Sequence, residues 1–342
     1  MNAAAKQRSR SKGGHSHERR APATRSPESE ELLMARAAWA YYVEGLTQHD
    51  IARKLDVNRI RINRMLAQAR ERGIVQVRVN ASLSMETEAK LEQRYGLKLA
   101  LVVPTPADVA DLPRSIAMAA GHAVSDRLTD GMSVGVGWGR TLRLSVTAME
   151  RRAVRDLSVV SLIGGLTQGS VLNTHETASR LADIYNASCF YIAAPAFADG
   201  EDSARILRSQ TSVIDAFEHA RNIDLAFVSV GGLDKSATMR RLKLIDDHDI
   251  KSLVAAGAVG DLCSQFIDIN GQVVDHPINR RVIALDVSDL KRVPSVILAS
   301  GGLEKLGVLH AVLSLGLVSI LVTDEETARQ LLEGKFLKRS RG

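Results

Sequence analysis

The sequence predicts an α/β protein in two parts: a small helical N-terminal domain closed by a wing-like strand, and a larger, mostly parallel α/β domain behind it. Three observations predict this. Between Thr47 and Gly73 a short capped helix, a tight turn and a second capped helix succeed one another. Beyond Leu97, apolar β-type runs alternate with helical patterns, the signature of βαβ units and a sheet covered on both faces. Several of those runs end in glycine-rich turns, at the strand ends where such sheets bind ligands. A length of 342 residues fits two domains at a prior of roughly 150 residues each. The expected limits are a disordered basic tail over 1–28, the helical domain over 29–80, a linking helix over 81–96 and the α/β domain over 97–342.

Composition bounds the function. Hydrophobic residues make up 45% and charged residues 25%, ordinary for a chain that buries a sizeable core. The net charge of +6 is modest. Locally, however, Arg59, Arg61, Arg64, Arg70, Arg72 and Arg78 stand against one acid, Glu71, a basic cluster that suits nucleic acid. The tail Met1–Ser26 is polar and basic and lacks the apolar region of a signal peptide. It reads as disordered, or as an arm adding phosphate contacts. Cys189 and Cys263, without a CxxC or a nearby His pair, argue against a disulfide scaffold or structural zinc and suit a reducing cytosol. No window approaches about 18 uninterrupted apolar residues, so no membrane span is expected, and the expected setting is cytoplasmic.

Taken in order, Pro27–Glu44 should form the first helix, with Leu32, Ala35, Trp39 and Tyr42 as its apolar face. Thr47 caps a short helix over 48–55, Asp56-Val57-Asn58 supplies the turn, and Asn58 caps the next helix. There Ile62, Met65, Leu66 and Ala69 fall at i, i+3, i+4 and i+7, one buried stripe. The other face begins Arg59, Arg61, Asn63 and Arg64, at the end where the second helix of a helix-turn-helix meets base edges in the major groove. Arginine can bridge guanine O6 and N7, and asparagine adenine N6 and N7. With Thr47 and Gln48 at the start of the preceding helix, these form the expected DNA-binding set. Gly73 ends the helix, and Val75–Val79 alternates as a wing strand would. Ser84–Tyr95 reads as a linking helix or a dimerising one.

In the second domain, strands are expected at Leu99–Val103, Ser133–Val136, Leu157–Ile163, Cys189–Ala193, Leu225–Val230, Val296–Ala299 and Ser319–Val322. Helices are expected over 114–128, 141–151, 175–185, 303–315 and 324–332, the last opened by a capping box of Thr323 with Glu326. Phe266–Val274 reads as a hairpin with a type I′ turn at Asn270-Gly271.

The glycine-rich turns are Gly135-Val-Gly137-Trp138-Gly139-Arg140-Thr141, Gly164-Gly165, Gly231-Gly232 and Gly301-Gly302. Glycines at strand ends let backbone N–H groups approach an anion, and a following helix N-terminus adds positive partial charge. Arg140 and Thr141 stand where phosphate would be held, and Lys305 can add a point charge. Trp138 is loop packing or a stacking platform, with packing the commoner role. Asp261 accepts hydrogen bonds either from ligand hydroxyls or from its own turn. The loops match neither the dinucleotide G-x-G-x-x-G nor the nucleotide-triphosphate G-x-x-x-x-G-K-[ST]. No metal cluster, cofactor fingerprint or catalytic set is predicted.

These segments together resemble a known family. EGLTQHDIARKLDV and LAQARERGIVQVRV look like the N-terminal domain of SorC-type sugar-binding transcriptional regulators. GVGWGRTL, IGGL, GAVGD, the run from Asn279 to Leu313 and LVTDEETARQLL look like the effector domain of the same family. The resemblance covers Leu32 to Leu332. It implies a second domain similar in fold to ribose-phosphate isomerases and glucosamine-phosphate deaminases, binding a phosphorylated sugar or related polyol. By that resemblance Gly137, Trp138, Gly139, Arg140, Thr141, Gly164, Gly165, Asp261 and Lys305 would hold the effector. The same resemblance implies operator DNA as partner and a homo-oligomer, dimer or tetramer. Arg61 and Asn63 stand where the family commonly has small hydroxyl residues, so the operator is not transferable. Asn173–Thr177 is similar to polyol-catabolism members. The competing expectation is a sugar-phosphate isomerase or deaminase fused to a DNA-binding module, with Asp261 drafted as general base but no second acid/base partner.

Overall fold

The computed structural model describes residues 27–72, 74–75, 85–166, 174–235 and 237–335. The chain divides into two compact units, Met1–Arg78 and Val79–Gly342.

The described residues of the first unit form three helices, α1 (Pro27–Tyr42), α2 (Gln48–Lys54) and α3 (Arg59–Glu71). Thr47 Oγ1 accepts the Asp50 N–H at 3.2 Å and opens α2. Asp56 turns the chain at φ 51°, and Asn58 Oδ1 accepts the Arg61 N–H at 2.8 Å to open α3. Each cap satisfies a donor that the first helical turn leaves free. Ile62, Met65, Leu66 and Ala69 are buried as expected, against Ile51 and Ala52 of α2. The face of α1 is different from the one expected. Met34, Ala37, Ala38 and Ala40 are buried, whereas Leu32, Trp39 and Tyr42 are exposed. Small alanines let α1 approach α3 closely; the large rings do not fit that contact and turn outward. Gly73 and the wing residues Gln76–Val79 lie outside the described residues, and Val75 is not in a strand.

The second unit opens with α4 (Met85–Tyr95) and β1 (Leu99–Val103), followed by α5 (Leu112–Ser125), β2 (Ser133–Val136), α6 (Arg140–Thr147), β3 (Ser158–Ser161), α7 (Thr174–Tyr185) and β4 (Ser188–Phe190). Next come α8 (Glu201–Arg208), α9 (Thr211–Arg221), β5 (Leu225–Val228), β6 (Val230–Gly231), α10 (Thr238–Arg241), α11 (Asp247–Ala255), β7 (Gly260–Leu262) and β8 (Gln265–Ile267). Last are α12 (Pro277–Arg281), α13 (Val287–Leu290), β9 (Ser295–Ala299), α14 (Leu306–Ser314), β10 (Ile320–Asp324) and α15 (Glu325–Glu333).

Seven strands form one sheet in the order β1-β10-β9-β5-β2-β3-β4, every pair parallel. Apolar clusters cover both faces, which is why β5 reads as continuous Leu-Ala-Phe-Val rather than alternating. The open edge of β1 is covered by α4: Glu92 Oε1 accepts the Ala100 N–H and Glu88 Oε1 the Val102 N–H, each at 2.9 Å. Carboxylates so placed deny the edge to another strand. After β2 the chain winds outward through β3 and β4, then returns to β5 and winds the other way through β9 and β10. The junction of β2 and β5 is therefore the topological switch point, where open α/β sheets form a crevice.

Several expected elements are trimmed or divided. The run Leu225–Val230 splits at Ser229: β5 stays in the main sheet, while β6 leaves it to pair with β7 in an antiparallel β6-β7-β8 sheet. The turn at Asn270-Gly271 is not type I′, because only Gly271 has positive φ. The Asp268 side chain instead accepts from the N–H groups of Asn270 and Gln272 and shapes the loop. Two adjacent residues at positive φ occur at Cys263 (50°) and Ser264 (66°), joining β7 to β8. The expected Thr323–Glu326 capping box does not form, and a simple side-chain cap one residue on takes its place. Strand β10 extends through Thr323, and Asp324 caps α15 by accepting the Thr327 N–H at 3.2 Å. Thr105 Oγ1 takes the Glu326 N–H at 2.9 Å.

Candidate nucleic-acid interface and effector cavity

In the first unit, Arg59, Asn63 and Arg64 are exposed on α3, Arg59 at its first residue beside the buried stripe and Asn63 and Arg64 turned away from it. Arg61 sits at the side of the helix, half-buried, with an ion pair to Glu30 at 3.6 Å. Thr47 is exposed, though its hydroxyl already serves the α2 cap, and Gln48 begins α2 beside it. The unit thus gathers all six expected residues on two successive helix N-termini. There free amides and guanidinium groups suit phosphates and base edges.

In the second unit a cavity of about 270 Å³ opens at the switch point, close to the low end of the volumes that hold small ligands. Among the segments that converge on it are Trp138–Thr141 after β2, Ser229–Gly232 after β5, Gly301, Glu304 and Lys305 after β9, Asp261 of β7, the start of α5 and the stretch through α10. Gly139 has φ 129°, a conformation that glycine adopts freely, and it turns the chain straight into α6. The first-turn amides of α6 are free of intrahelical partners and add positive partial charge. Arg140 is exposed at the rim, and Thr141 is buried below it.

Asp261 lines the cavity close to the Lys305 charge. It is buried, with Oδ2 accepting the Ser264 N–H at 3.1 Å, so it caps its own turn and also faces the cavity. Its other oxygen needs Gly231 to lack a side chain, because a Cβ there would overlap Oδ1. Burial pushes the Asp261 carboxyl up to about 7, against a downward pull from the Lys305 charge. Burial likewise pushes the neighbouring Cys263 thiol up to about 12, leaving it an inert core group.

The cavity collects Trp138, Gly139, Arg140, Thr141, Asp261 and Lys305 of the expected set. It does not collect Gly137, Gly164 or Gly165. Gly137 donates its N–H to Phe227 O at 2.9 Å and fastens the end of β2 to β5. A Cβ on Gly164 would meet Ala194 O at 2.5 Å, and one on Gly165 the His175 ring at 2.7 Å. Those glycines serve close packing beyond β3. Of the Asn173–Thr177 segment, Asn173 lies outside the described residues, while Thr174 and Thr177 are buried.

Sequence patterns did not single out Arg241, Asp234 and Glu304, which also line the cavity. Arg241 ends the four-residue helix α10, too short to carry a periodic signal. With it the described lining holds three cations and three carboxyl groups, enough to hold an anion and to accept from several hydroxyls. Among the described residues one group, Asp246, His248 and Asp249, is close enough to share a metal ion. Asp246 and Asp249, however, are already each other's capping partners at the start of α11. No described helix is long and apolar enough to cross a membrane.

Residues 79–333 match the family "Putative sugar-binding domain". The chain belongs to this family of SorC-type sugar-binding transcriptional regulators. It is 30% identical over 315 residues to the erythritol catabolism regulatory protein EryD of Brucella abortus, covering 89% of this chain and 98% of that one. It is 31% identical over 309 residues to the deoxyribonucleoside regulator of Bacillus subtilis, covering 88% and 97%. Among solved structures, the full-length sorbitol operon regulator SorC of Klebsiella pneumoniae superposes with a TM-score of 0.67 at 26% identity, over 89% of this chain and 99% of that one.

Proposed function

We propose that this protein is an effector-responsive DNA-binding regulator of a sugar or polyol catabolic operon. Its signal would be a phosphorylated sugar or related polyol. The observation that carries the reading is the cavity at the switch point, lined by Arg140, Lys305 and the α6 N-terminus together with Asp261. That pairing suits a ligand with an anionic end and a hydroxylated end: cations and helix amides take the phosphate, and the carboxyl group takes hydroxyl protons. The basic face of α3 supplies the output, with Arg59, Arg61, Asn63 and Arg64 reading bases and Thr47 and Gln48 positioning the helix on phosphates. Paired half-sites require paired helices, so the working form is a homo-oligomer with an even number of chains. A ligand that binds one arrangement of the oligomer better shifts the population toward it and changes operator affinity.

A thermal-shift screen of the purified protein against phosphorylated and free sugars and polyols tests the sensor. A ligand at about 100 times its Kd should stabilise the chain by about 2.7 kcal/mol, with the shift lost in Lys305→Ala. A hit with free polyols alone would remove phosphate from the reading. The near-neutral carboxyl of Asp261 also has the property that a general base needs. Turnover of the same sugar phosphates by the purified protein would favour the isomerase or deaminase alternative; unchanged substrate favours the regulator.

A further inference from the structure

The outward face of α3 is not uniformly polar. Ile60 is 81% exposed, more than any other large apolar side chain among the described residues. It lies on one stripe with Asn63, Arg64 and Ala67, at i, i+3, i+4 and i+7, all exposed. The buried stripe of Ile62, Met65, Leu66 and Ala69 has the same spacing shifted by two residues. At 3.6 residues per turn that shift is about 200°, so the two stripes lie on opposite sides of the helix. Ile60 is therefore held away from its own core by the burial of the other face.

Its neighbours narrow what covers it. Ile60 is the second residue of α3, next to the Asn58 cap, with Arg59, Arg61 and Arg64 around it. An apolar protein surface would have to strip water from the exposed guanidinium groups of Arg59 and Arg64 without supplying a matching charge. A DNA major groove supplies phosphates for the arginines and one apolar group on its floor, the C5-methyl of thymine. The N-terminal residues of the second helix are the ones that reach base edges.

We propose that Ile60 is a specificity-determining residue that selects a thymine in each half-site by contact with its 5-methyl group. Asn63 follows one turn along the same stripe, placed for a neighbouring base pair. The assignment rests on α3 being the DNA-reading helix, and the test separates the two claims.

The full-length protein is used to select bound duplexes from a random pool, and each thymine of the selected site is then replaced singly by deoxyuridine, which removes only the methyl. The expected result is one thymine per half-site whose replacement weakens wild-type binding about three- to tenfold, the scale of one lost methyl contact. Ile60→Ala should bind the thymine site with a similar loss and show no further loss with deoxyuridine, the coupling expected of a direct contact. Its melting temperature should stay at the wild-type value, because the removed atoms are exposed. Selection of a site whose thymines can all be demethylated without effect overturns the assignment and leaves the DNA-binding reading standing. The assignment also fails if Ile60→Ala remains equally sensitive to demethylation, or changes only the oligomeric state. Failure to select any sequence overturns both.

Discussion

Thr327 Oγ1 accepts the backbone N–H of Gly302 at 2.8 Å and donates to Asp324 Oδ1 at 2.5 Å. Asp324 is itself buried and also accepts from Thr105 Oγ1 at 2.8 Å. Gly301 leaves room for this carboxylate, since a Cβ there would overlap Oδ1. The first turn of α15 thus fastens the loop that carries Gly301 and Lys305 into the cavity. Thr327→Val keeps the volume and removes both bonds, leaving a buried N–H and a buried carboxylate oxygen unpaired. The expected loss is about 1–3 kcal/mol of stability by urea unfolding, largely restored in Thr327→Ser.

The Asp261 carboxyl sets a pH dependence. Its folded value, about 7, lies above the ordinary 3.8 because burial disfavours the ionised form. A raised acid contributes stability that is fully present below the unfolded value and is lost as pH rises through the folded one. The melting temperature of the wild type should therefore fall relative to Asp261→Asn between about pH 4 and about pH 8. Parallel curves for the two proteins across that window would place the carboxyl in solvent.

The turn joining β7 to β8 holds two non-glycine residues, Cys263 and Ser264, at positive φ. Ser264 Oγ is also buried without a hydrogen-bond partner. Ser264→Gly relieves the backbone conformation, removes that hydroxyl and keeps the N–H that Asp261 accepts. A gain on the order of 1 kcal/mol is expected, measured as a higher urea midpoint with an unchanged slope.

If Lys305 and Arg140 bind the anionic end of an effector, removing either charge-assisted contact should cost about 1.5–3 kcal/mol. That is roughly a ten- to hundredfold loss of affinity by calorimetric titration. Arg241→Ala should show a loss of the same kind, although nothing in the sequence singles it out. Glu304→Gln removes a carboxylate from the same rim and should leave affinity unchanged or raise it.

Much of the fold, and part of the candidate site, was legible in the sequence because the signals were local. Thr47 and Asn58 cap their helices, the Ile62–Ala69 stripe is buried, and glycines end β2 and β9 at the cavity. What sequence did not reveal depends on tertiary partners. The buried face of α1 follows from how closely Ala37 and Ala38 let α3 approach, which periodicity does not weigh. Gly164 and Gly165 look like ligand glycines but make room for Ala194, Pro195 and His175, residues of other segments. Arg241 reaches the cavity from a single helical turn. The positive-φ turn falls on Cys-Ser, which carries no turn signal, while Asn270-Gly271 carries the signal and adopts another turn.

Effector-controlled DNA binding is tested most directly by fluorescence anisotropy of the selected operator with the full-length protein, titrated with and without phosphorylated sugars and polyols. One such ligand should change operator affinity for the wild type and leave it unchanged for Lys305→Ala, which still binds the operator. Operator binding indifferent to every phosphorylated sugar and polyol, or a ligand response undiminished in Lys305→Ala, would contradict effector control through this cavity.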